Sequence, residues 1–306
     1  MKILFTILCM FTILLSQNNK GISPSKSTIQ FAKLKTKTEG EFLKSKLRLY
    51  SDKLGVNYKK RRGQYNEVCK CFPVQYSKHY IEQITVTIKN VPVLDIQLSP
   101  FLFSNPKIEF KSRDVSNANS IQLLVRDNSK KTSIASFKIK RDHKKNGMKS
   151  AYKASFKQVH VSSKAWNSTT IGEAIKEVYG TSLKKSKNKR HFLDANTTRT
   201  WFCKNEVCMH DTTSPINIVL KSNRKLESIS IFSSNTEKAL LAVLTVPENG
   251  FVDVEIPFQI DREGKVLIVA KDRNGKLYQT GYYTITTNAN YESEDLYLDL
   301  GFNLNE

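Results

Sequence analysis

The chain has 306 residues, and its 49 Lys+Arg against 28 Asp+Glu leave a formal net charge of +21. With 39% hydrophobic and 10% aromatic residues it has enough apolar material for a packed core, which excludes a wholly disordered chain. Twelve glycines and eight prolines are too few for a fibrous or low-complexity protein, and the length suits about two domains.

Residues 1–16 read as a signal peptide, because Lys2 is followed by an apolar run from Ile3 to Leu15 with a cleavage point after Ser16. A membrane-spanning helix needs ~20 apolar residues, more than this run offers, so an exported chain with no later membrane span is expected. Residues 17–60 form a basic N-terminal extension. Between residues 17 and 163 there are about 30 Lys+Arg and 10 Asp+Glu, whereas residues 164–306 have about 18 of each. The first half therefore holds nearly all the excess charge. Its densest stretches are Lys33 to Lys53, Lys59-Lys60-Arg61-Arg62 and Arg141 to Lys145, expected in linkers or loops. An exported protein rarely meets nucleic acid, so solubility, an envelope polyanion or an acidic protein partner accounts for them better.

Export also places Cys69, Cys71, Cys203 and Cys208 in an oxidising compartment, where three disulfide pairings are open. Cys69 and Cys71 flank Lys70 in the strand-like run Glu67 to Phe72, on one face. A bridge between such near neighbours is strained, so each is expected to pair elsewhere or stay free.

Strand signals follow. Ile84 to Ile88 and Val93 to Leu98 alternate apolar and polar residues about the turn Lys89-Asn90-Val91-Pro92, which reads as a hairpin. Ile108 to Phe110, Ser120 to Val125 and Ser133 to Ile139 continue the pattern, with a turn at Arg126 to Ser129. A helix is predicted from Thr169 to Tyr179, where Ile171, Ala174, Ile175 and Val178 recur at helical spacing. Thr170 and Glu173 form a capping box, and Gly180 stops the helix. Cys203 and Cys208 enclose Lys204 to Val207. A local disulfide is favoured there over a soft metal site using Met209 and His210. Six further strands are predicted: Ile216 to Leu220, Ser228 to Phe232, Leu240 to Val246, Phe251 to Ile260, Lys265 to Ala270 and Tyr278 to Thr286. An Asn-Gly hairpin turn lies at Asp272 to Lys276. The expected fold class is mainly β: two immunoglobulin-like antiparallel β-sandwich domains, with a short α-helix before the second. After Thr287 the chain ends in an acidic tail.

Two of these blocks resemble the paired chains of the SoxYZ thiosulfate-oxidation carrier family. His79 to Val86, Val93 to Pro100, Ser104 to Phe110 and Leu124 to Lys130 resemble the Z chain. The helix at Thr170 to Gly180, then Leu226 to Phe232, Ala239 to Val246, Phe251 to Ile260 and Val266 to Tyr278, resemble the Y chain. The resemblance implies a fused Z-like then Y-like chain. Its parts are a signal peptide at 1–16, a basic extension at 17–60 and a Z-like sandwich at 61–142, then a linker at 143–165, a Y-like helix and sandwich at 166–288 and an acidic tail at 289–306. In that family a glycine-rich C-terminal arm bears one cysteine, whose thiolate holds the sulfur intermediate. Here the chain ends Leu298 to Glu306 with no cysteine and one glycine, and Cys69-Lys70-Cys71-Phe72-Pro73 stands where the Z chain has a His-Pro-Met turn.

The resemblance thus implies a periplasmic, non-enzymatic protein of sulfur oxidation. It would be a scaffold related to the carrier, or a carrier through Cys208 or Cys203, with periplasmic sulfur-oxidation enzymes or another acidic protein as partner. The alternative is an exported tandem binding or assembly module with a basic docking surface. No catalytic residue, metal or cofactor is expected, since His79, His143, His160, His191 and His210 are scattered and no phosphate-cradling glycine loop is present.

Overall fold

Alternation of apolar and polar residues runs through most of the chain, and it decides which side of each strand enters the core. The computed structural model describes residues 20–22, 31–39, 42–50, 56–57, 75–76, 80–102, 106–113, 118–139, 156–183, 194–198, 201–204, 207–210, 216–222, 225–234, 236–248, 252–258 and 264–285. The strands of the first half are β1 (Lys20–Ile22), β2 (Phe31–Glu39), β3 (Phe42–Tyr50), β4 (Val56–Asn57), β5 (Gln75–Tyr76), β6 (Ile81–Ile88), β7 (Val91–Leu98), β8 (Lys107–Arg113), β9 (Ser120–Asp127) and β10 (Thr132–Lys138). Two helices follow, α1 (Ser163–Asn167) and α2 (Ile171–Tyr179). The second half adds β11 (Asp194–Thr198), β12 (Trp201–Lys204), β13 (Val207–His210), β14 (Ile216–Ser222), β15 (Leu226–Ser233), β16 (Leu240–Thr245), β17 (Val252–Phe258), β18 (Gly264–Asp272) and β19 (Leu277–Ile285). The protein is mainly β.

Two antiparallel sheets enclose the main core. Their orders are β1-β2-β3-β8-β17-β14-β11 and β10-β9-β6-β7-β16-β15-β18-β19, while β4–β5 and β12–β13 are two-stranded ribbons. Both sheets run across the middle of the sequence. In one, Asp95 to Leu98 of β7 lie opposite Ala242 to Thr245 of β16. In the other, Glu109 and Phe110 of β8 lie opposite Glu255 and Val254 of β17. The halves are therefore sandwiches laid edge to edge with their sheets joined. One apolar cluster passes through the seam, including Leu47, Ile84, Ile96, Leu244, Ile256 and Ile268.

The predicted strands are found with shifts of one or a few residues at their ends. The hairpin between β6 and β7 turns on two residues, Lys89 (φ 50°) and Asn90 (φ 62°), both left-handed as a primed two-residue turn requires. Strand β16 is buried along its whole length. One face meets the main core, and the other meets a second cluster in which Phe232, Leu240, Val243 and Leu267 pack against Val161, Ala165, Ala174 and Ile175 from the helical region. That double cover explains its unbroken apolar sequence.

Helix α2 forms as its caps dictate. The Thr170 hydroxyl accepts from the Glu173 N–H at 3.3 Å, and Gly180 (φ 71°) closes the other end with its N–H on the Lys176 carbonyl at 2.8 Å. Helix α1 has no counterpart among the predicted elements. Ser162 caps it, accepting from the Ala165 N–H at 3.2 Å, but five residues are too few to show a helical period.

The basic stretch from Lys33 corrects the sequence reading. Residues 33–39 and 42–48 are not in a linker or loop but on β2 and β3, which pair along their full length and continue through β3 into β8. The physical reason is a period of two hidden by lysine. Ala32, Leu34, Leu43, Leu47 and Leu49 enter the core, while Lys35, Lys37, Lys44, Lys46 and Arg48 between them face water. The end of that stretch at Lys53 and the other basic stretches, Lys59 to Arg62 and Arg141 to Lys145, lie outside the described residues, as do residues 1–16 and 289–306.

Candidate functional site

At the seam, the outer face of the second sheet carries a polar cluster instead of the usual solvated side chains. Leu94, Ile96 and Leu98 point into the core, so Asp95 and Gln97 point out, beside Gln83 and Thr85 of β6 and Thr245 of β16. Asp95 is nevertheless only 1% exposed. Its Oδ1 accepts from the Gln83 amide at 2.7 Å and from the Thr85 hydroxyl at 2.6 Å, and its Oδ2 accepts from the Gln158 amide at 3.4 Å.

The cover comes from residues 156–161. The Gln97 amide donates to the Val159 carbonyl at 2.7 Å, and the Val159 N–H donates to the Thr245 hydroxyl at 3.3 Å. This strap crosses the joint between the two halves and leads into α1. It replaces water as the partner of a buried carboxylate, which is what keeps that burial tolerable. Sequence reasoning missed the cluster. Gln83 and Asp95 sit at outward strand positions, where polar residues are ordinary, and the covering segment lies more than sixty residues further along the chain.

Beyond the strap, α2 delivers Tyr179 into the second cluster. Its hydroxyl lies 2.7 Å from the Ser230 hydroxyl and donates to the Val269 carbonyl at 3.2 Å. Burial pushes the phenol well above its ordinary value near 10, an effect that the serine hydroxyls only partly offset. The neutral phenol is thus favoured by the fold. Its contribution to stability is fully present below about pH 10 and is lost as pH rises above that, where the unfolded chain ionises first. Chemical denaturation from neutral pH to about pH 11 should show this slope in the wild-type protein and a shallower one in Tyr179→Phe. The variant should also be about 1 kcal/mol less stable at neutral pH. Equal slopes would remove Tyr179 as the cause.

The cysteines divide. Cys203 on β12 and Cys208 on β13 are directly opposite each other in the antiparallel ribbon, with Trp201 opposite His210 at its open end. Directly opposed residues in such a ribbon have Cα atoms ~4.5–5.5 Å apart, within the range that a disulfide spans. Cys69 and Cys71 lie outside the described residues. His160, on the strap itself, is exposed. Among the described residues no group of three or more His, Cys, Asp or Glu side chains is placed to hold a metal ion, and no helix is long and apolar enough to cross a membrane.

A cleft opens at the seam between Val93, Phe110, Lys111, Val246, Val252 and Asp253, with a volume of about 20 Å³. That is room for about one water. The seam and its strap are built to join two sandwiches.

Comparison with known proteins fits this layout. No curated protein matches the chain. Residues 74–138 match the family model described as sulphur oxidation protein SoxZ, and the match runs from β5 to the last residue of β10. Residues 74–138 are therefore similar to the Z chain of the SoxYZ sulfur-oxidation family, within a longer, mainly β chain.

Proposed function

We propose that the protein is an exported, non-enzymatic SoxYZ-like component of sulfur oxidation in which a Z-like sandwich (61–142) is fused to a Y-like helix and sandwich (166–288). The observation that carries this reading is the SoxZ match at residues 74–138, together with two sheets that continue from that domain into the second half. Chains that work as a pair are here one chain, and the strap at 156–161 is the covalent link lying on the joint. Sox proteins act typically in the periplasm, which agrees with the apolar leader at residues 3–15. The partners are sulfur-oxidation enzymes of that compartment.

A scaffold related to the carrier is favoured over a carrier, because Cys203 and Cys208 stand opposite each other in the ribbon, where a disulfide would leave neither thiol free. In this reading Cys203 and Cys208, opposed across the ribbon, form a disulfide. Intact-mass analysis of protein from cells supplied with thiosulfate tests both points. We expect the mass of an oxidised pair and alkylation of Cys203 and Cys208 only after reduction. A sulfur adduct on either residue would replace the scaffold with a carrier working through that thiol.

A second reading, an exported binding or assembly module unrelated to sulfur chemistry, is favoured by the basic face on β2 and β3. Affinity capture separates the two, since recovery of sulfur-oxidation enzymes supports the first and recovery of envelope polymers the second.

A further inference from the structure

Strands β2, β3 and β8 present an unusual outer face. Lys33, Lys35 and Lys37 stand on β2, Lys44, Lys46 and Arg48 on β3, and Lys107 and Lys111 on β8, against Glu39 and Glu109. Register sets like charges opposite one another: Lys33 faces Arg48, Lys35 faces Lys46, Lys37 faces Lys44, Lys44 faces Lys111 and Arg48 faces Lys107. Of the β3 cations only Lys46 has a carboxylate opposite it on β8, Glu109. Directly opposed like charges weaken a sheet. A face kept only for solubility would alternate its signs. This one concentrates a single sign on strands about 4.8 Å apart, with cations about 7 Å apart along each strand.

The carboxylates present do not neutralise it. Glu109 is held by Lys46 at 3.0 Å and Lys107 at 2.6 Å, and Glu39 by Lys111 at 3.6 Å. Burial works to raise the Glu109 carboxyl, but the two lysines outweigh it and hold it below the ordinary range. Lys35, Lys37, Lys44 and Arg48 are exposed, and among the described residues none of them pairs with a carboxylate.

We propose that the β2–β3–β8 face is a docking surface for an acidic segment of a partner protein, whatever the outcome for the sulfur reading. The pattern favours a protein over a polyanionic chain. Next to β8 the sign reverses at Asp253 and Glu255 of β17, with Glu255 opposite Glu109. A long anionic polymer laid across the whole sheet would meet repulsion there, whereas a short acidic segment of a partner protein can stay on the basic band of β2, β3 and β8. Phe42 at the end of this face has the Lys111 ammonium over its ring, 5.0 Å from the centroid, so it is engaged by a cation of the face itself and not open as a platform on which nucleic-acid bases would stack.

The test uses the full chain and two labelled probes of equal formal charge, a poly-glutamate peptide and an oligothymidylate, followed by fluorescence anisotropy at low and high salt. The face variant combines Lys35→Ser, Lys37→Ser, Lys44→Ser and Arg48→Ser. Its control removes the same charge elsewhere, through Lys131→Ser, Lys138→Ser, Lys157→Ser and Lys164→Ser. We expect poly-glutamate to bind the wild type more tightly than oligothymidylate does, with an affinity that falls as salt rises. The face variant should lose about tenfold in affinity while the control stays within about twofold. The face variant should also unfold at a higher temperature than the wild type, because opposed like charges have been removed. Equal losses in both variants, tighter binding of oligothymidylate, or no binding of poly-glutamate by the wild type would each overturn the proposal.

Discussion

Ile96→Ala should lower the stability of the whole chain by about 3 kcal/mol and shift one unfolding transition, not one of two. Ile96 is fully buried and lies opposite Leu244 across the β7–β16 joint, within the cluster that serves both halves. Removing most of its side chain costs the transfer free energy of the lost methyl and methylene groups, and it adds a cavity whose walls belong to both halves. Neither half can relax without moving the other. Calorimetry should therefore show a single peak displaced by roughly 10 °C. Two peaks, with only the earlier half displaced, would mean that the seam does not couple the sandwiches. Ile96→Asp, which puts an unpaired carboxylate in the same place, should leave no folded protein in either half.

Asp95→Ala should cost about 2–3 kcal/mol, although it removes a buried charge. The carboxylate accepts from Gln83, Thr85 and Gln158. An alanine leaves the Gln83 amide, on a residue only 7% exposed, without its 2.7 Å acceptor. Replacing a buried ion by a well-fitted apolar group can be neutral, but alanine fills none of the space and the donors remain. Asp95→Asn keeps one acceptor oxygen and should cost less, about 1 kcal/mol. Hydrogen exchange gives a second readout. The Val159 N–H, held by the Thr245 hydroxyl next to the cluster, should exchange faster in Asp95→Ala than in the wild type as the strap loosens. Unchanged stability with unchanged exchange at Val159 would show that the strap is held by other contacts.

Much of the fold was readable from local pattern. The β6–β7 hairpin, the five strands from β14 to β18 and the caps of α2 follow from period-two alternation, turn residues at left-handed positions and a Thr-x-x-Glu start with a glycine stop. The resemblance of residues 79–130 to a Z chain rested on the same strands, and the SoxZ match at 74–138 covers them. The misreading of Lys33 to Arg48 had a specific cause. Leu-Lys-Ser-Lys-Leu-Arg-Leu has the strand period, yet its density of positive charge resembles a solvated linker, and only pairing to β8 shows which influence wins.

The site was less legible than the fold. Cys203 and Cys208 were singled out from their spacing, and the ribbon places them opposite each other. Asp95 carried no signal at all, because a buried aspartate and an exposed one look alike on the outward side of a strand.

By itself, then, the sequence determined where most strands and the main helix lie, which faces are apolar, and that the surplus charge belongs to the first half. Each of these is a local property, set by residues a few positions apart. Only the tertiary structure decided that both sheets run through the midpoint, that residues 156–161 seal Asp95 at the seam, and that the lysines of three strands gather on one face. Those outcomes depend on strand pairing between residues far apart in the chain, which sets Ile96 opposite Leu244 and Arg48 opposite Lys107. Pairing of that kind leaves no periodic trace in the sequence, because any strand with an apolar side can dock beside many others until register and the rest of the core select one.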